Sequence, residues 1–134
     1  QARLKSMPDA MHWRTSLIGA FAMQSAFSHS VDWLDEVVEQ IQDNLSFFQH
    51  EISQKLPKAK LFNMESTYLV WVDLSAYRVD QVQQVLLQQA KVAVVPGEDH
   101  APEDEYSNCV RFNIASSKAR ISEAVSRMSK VLEG

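Results

Sequence analysis

The chain is expected to fold as an α+β domain: a small, mainly antiparallel sheet of about four strands with helices packed on one side, preceded by a long helix. Three observations lead there. Apolar residues at three- and four-residue steps, Leu34, Val37, Val38, Ile41, Leu45, Phe48, Ile52 and Leu56, run unbroken to Pro57 and predict one long amphipathic helix. Short runs rich in β-branched and aromatic residues follow it: AKLFN at 59–63, TYLVWVD at 67–73, KVAVV at 91–95 and CVRFN from Cys109. Helical patterns separate and close these runs, so the order is helix, helix, strand, strand, helix, strand, strand, helix, which suits helices layered on a sheet.

Residues 1–16 carry scattered apolar positions around Pro8 and read as a short helix and a loop. Leu17 to Phe27 (LIGAFAMQSAF) is apolar nearly all round, and a helix without a polar face has to be covered on most sides. The segment 1–29 is therefore expected to pack against another domain or a partner subunit, and 30–134 to form the α+β domain. The long helix starts near Ser30 and Asp32, where a short polar side chain caps free amides and Asp32, Asp35 and Glu36 suit the positive end of the helix dipole. Met64, Glu65 and Ser66 make a link short enough for an antiparallel hairpin between the first two strands. Val79, Val82, Val85, Leu86 and Ala90 mark a helix opened near Asp80, and Pro96 and Gly97 are expected to stop the strand at 91–95. The loop GEDHAPEDEYSN leads to the last strand, and Ser116 or Ser117 caps a final helix with Ile121, Ala124, Val125, Met128, Val131 and Leu132 inward.

Composition narrows the function classes. A length of 134 residues, 46% of them hydrophobic, suits one domain able to build its own core. A formal charge of −4 with no cluster of Lys and Arg gives no basic stripe, so no nucleic-acid partner is expected. No apolar run approaches the roughly 20 residues that span a bilayer, and no secretory leader pattern opens the chain, so no membrane association is expected. Cys109 is the only cysteine; no internal disulfide can form, which agrees with a reducing cytoplasm. The chain begins at Gln1 rather than Met, as a cleaved product or a fragment would.

The catalytic inventory is thin. There is no nucleophile elbow, no glycine-rich phosphate loop and no zinc-type histidine pair. His12, His29, His50 and His100 are far apart, and none has metal-ligand spacing with another histidine or with Cys109. The acidic loop holding Glu98, Asp99, Glu103, Asp104 and Glu105 lacks the spacing and turn glycine of a calcium loop and reads as solvated, with a metal-dependent hydrolase as the alternative. Tyr68 and Trp71 fall on opposite faces of their strand and read as packing residues, and Cys109 as a small apolar filler. One residue stands out. In the last strand Val110, Phe112 and Ile114 share one face, while Arg111 and Asn113 share the other. Arg111 either lies on an open face in water or looks into a cleft, where its planar fork of donors would bind a carboxylate or phosphate.

The block TYLVWVDLS, a helix, KVAVVPGED and CVRFNIASSKARISEAVSRM resembles the C-terminal end of class I/II (fold type I) pyridoxal-phosphate-dependent aminotransferases, most nearly the branch of cystathionine β-lyase-like carbon–sulfur lyases. The stretch SVDWLDEVVEQIQDNLSFFQHEI is similar to that family's linking helix, with Trp33, Leu34, Asp35 and Asn44 in its rhythm. The resemblance covers nearly all of the chain from Leu17 and implies that this is the family's small C-terminal domain. It implies a role for Arg111, gripping the α-carboxylate of an amino-acid substrate, with Asn113 as possible local support. His100 and Ala101 depart from the phenylalanine–glycine pair of relatives, which bears on the shape of the substrate pocket.

It also implies a pyridoxal phosphate cofactor in the parent enzyme, held mainly by a large domain of the same polypeptide, and a homodimer. Lys5, Lys55, Lys58, Lys60, Lys91, Lys118 and Lys130 match none of the family's Schiff-base context. No cofactor-binding or catalytic residue is therefore expected in this chain, which alone should be inactive. The alternative is a stand-alone α+β regulatory module that uses Arg111 to bind a small anionic ligand.

Overall fold

The computed structural model describes residues 16–100 and 106–134. The chain falls into two compact units, Gln1–Val38 and Glu39–Gly134. In the first, helix α1 spans Leu17–His29, and the Ser16 hydroxyl accepts from the Gly19 amide at 3.4 Å to cap it. None of its residues is buried, and Leu17, Ile18, Phe21 and Phe27 are all well over half exposed. Helix α2, Val31–Lys55, carries the expected stripe, which packs in the core from Ile41 on while Leu34 and Val38 stay exposed, and the unit boundary falls within it.

In the second unit, four strands make one sheet in the order β1-β2-β4-β3, antiparallel throughout: β1 Lys60–Leu61, β2 Leu69–Asp73, β3 Val95–Pro96 and β4 Cys109–Asn113. One face is the core. Val70 and Val72 of β2 and Val110 and Phe112 of β4 meet Phe48 and Ile52 of α2 and Ile121, Val125 and Met128 of the closing helix α4, Lys118–Leu132. The Phe48 and Phe112 rings stack with centroids 4.8 Å apart, which ties the long helix to the central strand. The helix between β2 and β3 adds Val82, Leu86 and Ala90 to the same core. Helices on one side of a small antiparallel sheet are what the periodicities require.

Three expectations change in detail. The strand expected at 91–95 is reduced to Val95–Pro96, although Val92 and Val94 are buried. The cause lies just upstream, where α3, Val82–Val85, runs into a wider turn, Leu86–Ala90; Lys91 is left-handed at φ 57°, and the Val92 amide bonds back to the Leu86 carbonyl. Held back in that turn, the chain reaches β4 only at Val95. Pro96, expected to stop the strand, belongs to it, because β3 is an edge and a missing donor there costs no pairing. Finally, α3 opens at Gln81 in a left-handed conformation with no side-chain cap, rather than at Asp80. Of the two candidate caps for α4 it is Ser117 that serves, its hydroxyl accepting from the Arg120 amide at 3.4 Å. Expectations for residues 1–15 and 101–105 lie outside the described residues.

Candidate functional site on the outer sheet face

Alternation along β4 sends Val110, Phe112 and Ile114 into the core and turns Arg111 the other way, half-buried. The ladder then decides its neighbours. Arg111 pairs with Trp71 on β2 and with Val95 on β3, and side chains at paired positions stand on the same face about 4.5–5.5 Å apart at their Cβ atoms. A row Val95, Arg111, Trp71 therefore crosses the outer face, and the Phe62 amide, which donates to the Trp71 carbonyl at 3.1 Å, extends it past β1. Trp71 is thus not the core residue the alternation suggested; it is half-buried on the outer face, and Tyr68 is 43% exposed. The apolar pattern alone could not say which face was covered.

Arg111 Nε is buried and has no hydrogen-bond partner among the described residues. A guanidinium nitrogen taken out of water without a partner costs free energy; Nε itself is closed to a ligand, and the donors open to an anion are the outer nitrogens of the fork. The cross-strand partner of Arg111, Trp71, is one of four rings that bound an open hollow of about 280 Å³, with Phe62, His100 and Tyr106; Arg111 itself does not line it. Trp71 meets His100 edge-on at 5.7 Å and Tyr106 at 6.0 Å, and Phe62 meets Tyr106 at 6.4 Å. Sequence reasoning missed this group, since 44 positions separate its first and last members; only the non-local pairing of β2 with β4 places Trp71 beside Arg111. The turn Gly97–His100 lies pressed on β4, where a Cβ at position 97 would stand 2.4 Å from the Tyr106 carbonyl oxygen and 2.9 Å from that of Cys109. Glycine permits that approach and so sets His100 and Tyr106 over the sheet.

The other candidates are placed as follows. Asn113 accepts from the Ala115 amide at 2.8 Å through Oδ1, so it holds the backbone where β4 turns toward α4. Asn44 is the buried polar residue of the long helix, and its amide group donates to the carbonyls of Ile114 at 2.9 Å and Ser116 at 2.8 Å. It thereby secures the exit of the strand that carries Arg111. Cys109 is buried, and burial, with the Asp73 carboxylate opposite it as a lesser cause, pushes its thiol up, away from a reactive thiolate. Burial also pushes the Asp73 carboxyl up, but hydrogen bonds from Ser75 outweigh that and leave it below its usual range. Among the described residues no three of His, Cys, Asp and Glu converge as metal ligands; His12 and the acidic positions Glu103, Asp104 and Glu105 lie outside them. No helix among the described residues is long and apolar enough to cross a membrane.

The family described as Aminotransferase class I and II matches residues 2–128, and the chain belongs to that family. It is 32% identical over 113 residues to the cystathionine β-lyase PatB of Bacillus subtilis, covering 83% of this chain and 29% of that one. Against the cystathionine β-lyase of Corynebacterium glutamicum it is 27% identical over 129 residues, covering 96% of this chain and 34% of the relative. A solved structure from Corynebacterium diphtheriae, assigned as a PLP-dependent β-cystathionase, superposes with a TM-score of 0.86 at 26% identity over 98% of this chain and 34% of that one. The chain thus spans about a third of the length of these relatives.

Pyridoxal phosphate chemistry requires a lysine free to form a Schiff base in a protected cleft. The lysines described do not offer one. Lys55, Lys58 and Lys118 are held in ion pairs with Glu51, Glu133 and Asp43 at 2.5, 3.4 and 2.6 Å; Lys60 stands opposite Asp73 on the edge strand; Lys91 and Lys130 line a separate shallow cavity. Lys5 lies outside the described residues. These residues do not make the cofactor's site, and no chemical step is assigned to them.

Proposed function

We propose that this chain is the C-terminal substrate-carboxylate-binding domain of a pyridoxal-phosphate-dependent aminotransferase or carbon–sulfur β-lyase acting on amino acids, with Arg111 as the group that grips the α-carboxylate. The observation that carries the reading is Arg111 standing half-buried in the middle of a sheet face with no ion-pair partner among the described residues. A carboxylate accepting two parallel hydrogen bonds from the outer nitrogens of the guanidinium would fix the amino acid in one orientation. Orientation of this kind supplies a large share of a rate enhancement, because the amino group is then held where the cofactor's aldehyde can meet it. Asn113 and Asn44 act on the backbone around Arg111 and not on the substrate. The cofactor supplies the electron sink in such enzymes, and the residues that bind it belong to the large domain of the same polypeptide. The exposed apolar surface of α1 packs against that domain or against the second subunit of a homodimer.

Arg111→Ala in the complete polypeptide tests the grip. Losing a charged, bidentate contact removes about 1.5–3 kcal/mol of binding, so KM for amino acids should rise by roughly 10- to 150-fold. Unchanged kinetics would remove Arg111 from the site. The 134-residue chain by itself should develop no saturable aldimine absorbance with pyridoxal phosphate; a stable band would place the cofactor's lysine within it.

A further inference from the structure

We infer that the aromatic hollow beside Arg111 is a subsite for the substrate's side chain, and that it selects uncharged apolar side chains, aromatic or thioether, over acidic and basic ones. The inference rests on the reading of Arg111 as the carboxylate grip and adds the class of amino acid that the grip serves.

The geometry is one of short reach. In an α-amino acid the side chain begins only two bonds from the carboxylate carbon. Trp71 is the cross-strand partner of Arg111 on the same face, so an amino acid held by the guanidinium has the indole within one side chain's length. Beyond the indole the walls are three more rings, those of Phe62, His100 and Tyr106, around an open hollow of about 280 Å³. That space admits a side chain of the size of methionine or phenylalanine. The rings present edges and faces at wide interplanar angles, 74° for Trp71 against His100 and 64° for Phe62 against Tyr106, a disposition that receives a further ring or a sulfur atom in favourable contact.

Charge argues the same way. The guanidinium is committed to the α-carboxylate, and no lysine or arginine lines the hollow among the described residues. An acidic side chain would therefore give up hydration for no lysine or arginine cation, with only the ring donors of Trp71, His100 and Tyr106 to replace it. A basic side chain would gain the ring faces but would sit beside the positive charge of Arg111, which opposes it. An apolar side chain meets neither penalty, and it covers indole and phenyl surface that is otherwise open to water: Phe62 is 44% exposed.

The test is a set of dissociation constants, measured by calorimetry on the complete polypeptide with its cofactor, for L-phenylalanine, L-methionine, L-alanine, L-aspartate and L-lysine. Phenylalanine and methionine should bind on the order of 10-fold or more tighter than alanine, the discrimination that a hydrophobic pocket gives for a few carbon atoms. Trp71→Ala and Phe62→Ala should each bring the phenylalanine-to-alanine ratio toward one, and Trp71→Phe should retain most of it. Neither residue belongs to the buried core, and thermal melts of the variants exclude misfolding as the cause. Aspartate or lysine binding tighter than phenylalanine would overturn the assignment, as would a ratio unmoved in both alanine variants. The two readings fail separately. If Arg111→Ala weakens all five ligands while the ratio ignores Trp71 and Phe62, the grip stands and the subsite falls; if Arg111→Ala weakens none, the grip falls and the subsite with it.

Discussion

Removing the amide of Asn44 should cost far more than its size suggests. The side chain is 2% exposed, and its Nδ2 supplies both of its hydrogens to main-chain carbonyls, Ile114 at 2.9 Å and Ser116 at 2.8 Å, while Gln40 donates to its Oδ1 at 3.1 Å. Asn44→Leu keeps volume and removes both donors. A buried carbonyl left unpaired costs about 1–3 kcal/mol, and the Ser116 carbonyl, nearer the surface, belongs at the low end of that range. The sum is about 2–4 kcal/mol, and Asn44→Asp should exceed it by turning an anionic oxygen toward two carbonyl oxygens. Urea unfolding followed by circular dichroism reads the loss as a lower midpoint at unchanged slope. The second expected effect is functional. Because these carbonyls fix the exit of β4, three and five residues beyond Arg111, the variants should raise KM for amino acids more than they lower kcat. A stability for Asn44→Leu within about 0.5 kcal/mol of the parent, the scatter of ordinary surface changes, would mean that the two carbonyls find other partners and that Asn44 secures nothing.

Gly97→Ala should drive a methyl group against the carbonyl oxygens of Tyr106 and Cys109, at 2.4 and 2.9 Å; these are backbone atoms, so the turn must lift from β4, costing about 1–3 kcal/mol in an unfolding assay and shifting Trp71 fluorescence as His100 and Tyr106 move. Phe48→Ala empties one side of the Phe48–Phe112 stack in the fully buried core and should lose about 3–5 kcal/mol by the same measurement. The Lys55 ammonium, then the Ser122 hydroxyl, hold the Glu51 carboxyl below its ordinary 4.5. Folding lowers that value, so the contribution is present above 4.5 and is lost as the pH falls through the lowered value; Glu51→Gln should be less stable at pH 7 and show a shallower decline on acidification, read from urea midpoints. Burial, with the neighbouring Glu133 as the next cause, pushes the Tyr77 phenol up to about 12 from 10.0. Its stabilising contribution is complete below 10.0 and fades as the pH rises through about 12, so ultraviolet titration should find one tyrosine ionising late and Glu133→Gln should bring it earlier.

The parts of the fold that were legible in the sequence are those whose periodicity is written into consecutive residues. The stripe from Ile41 to Leu56 could only be a long helix, and the alternation of Val110, Arg111, Phe112 and Asn113 could only be a strand with one face buried. At 91–95 the same kind of apolar run misleads, because Val92 and Val94 are buried without a ladder; burial writes the sequence pattern, whereas pairing with β4 begins only at Val95. Arg111 was legible as a candidate since a charge inside an apolar strand is unusual in itself. The hollow was not, because its four rings come from β2, the end of β1 and the two sides of a loop, and no local pattern joins residues that meet only after strand pairing. Asn44 is an intermediate case: it fits the rhythm of the long helix, but only the fold shows that its amide reaches the carbonyls 70 and 72 positions away.

The two proposed parts of the site differ in how firmly they are held, and the difference suits what each would bind. Arg111 is on β4, which is paired on both edges, pinned at its exit by Asn44 and followed at once by a capped helix, so its Cα has little freedom. A carboxylate is common to every α-amino acid, and a rigid donor set aimed at it serves any of them without reorganisation. The hollow shares only Trp71 with the interior of the ladder. Phe62 lies beyond the end of β1, His100 ends the short turn that Gly97 opens, and Tyr106 stands before β4, its carbonyl against the close approach at Gly97. Loops on a fixed scaffold change more readily than the ladder that carries them. Within this family, then, a residue in the place of Arg111 should tolerate no exchange while the partners of Trp71 vary with the side chain received. Replacing His100 by Phe tests this in one step: it should alter the ranking of apolar amino acids and leave the loss caused by Arg111→Ala as large as before.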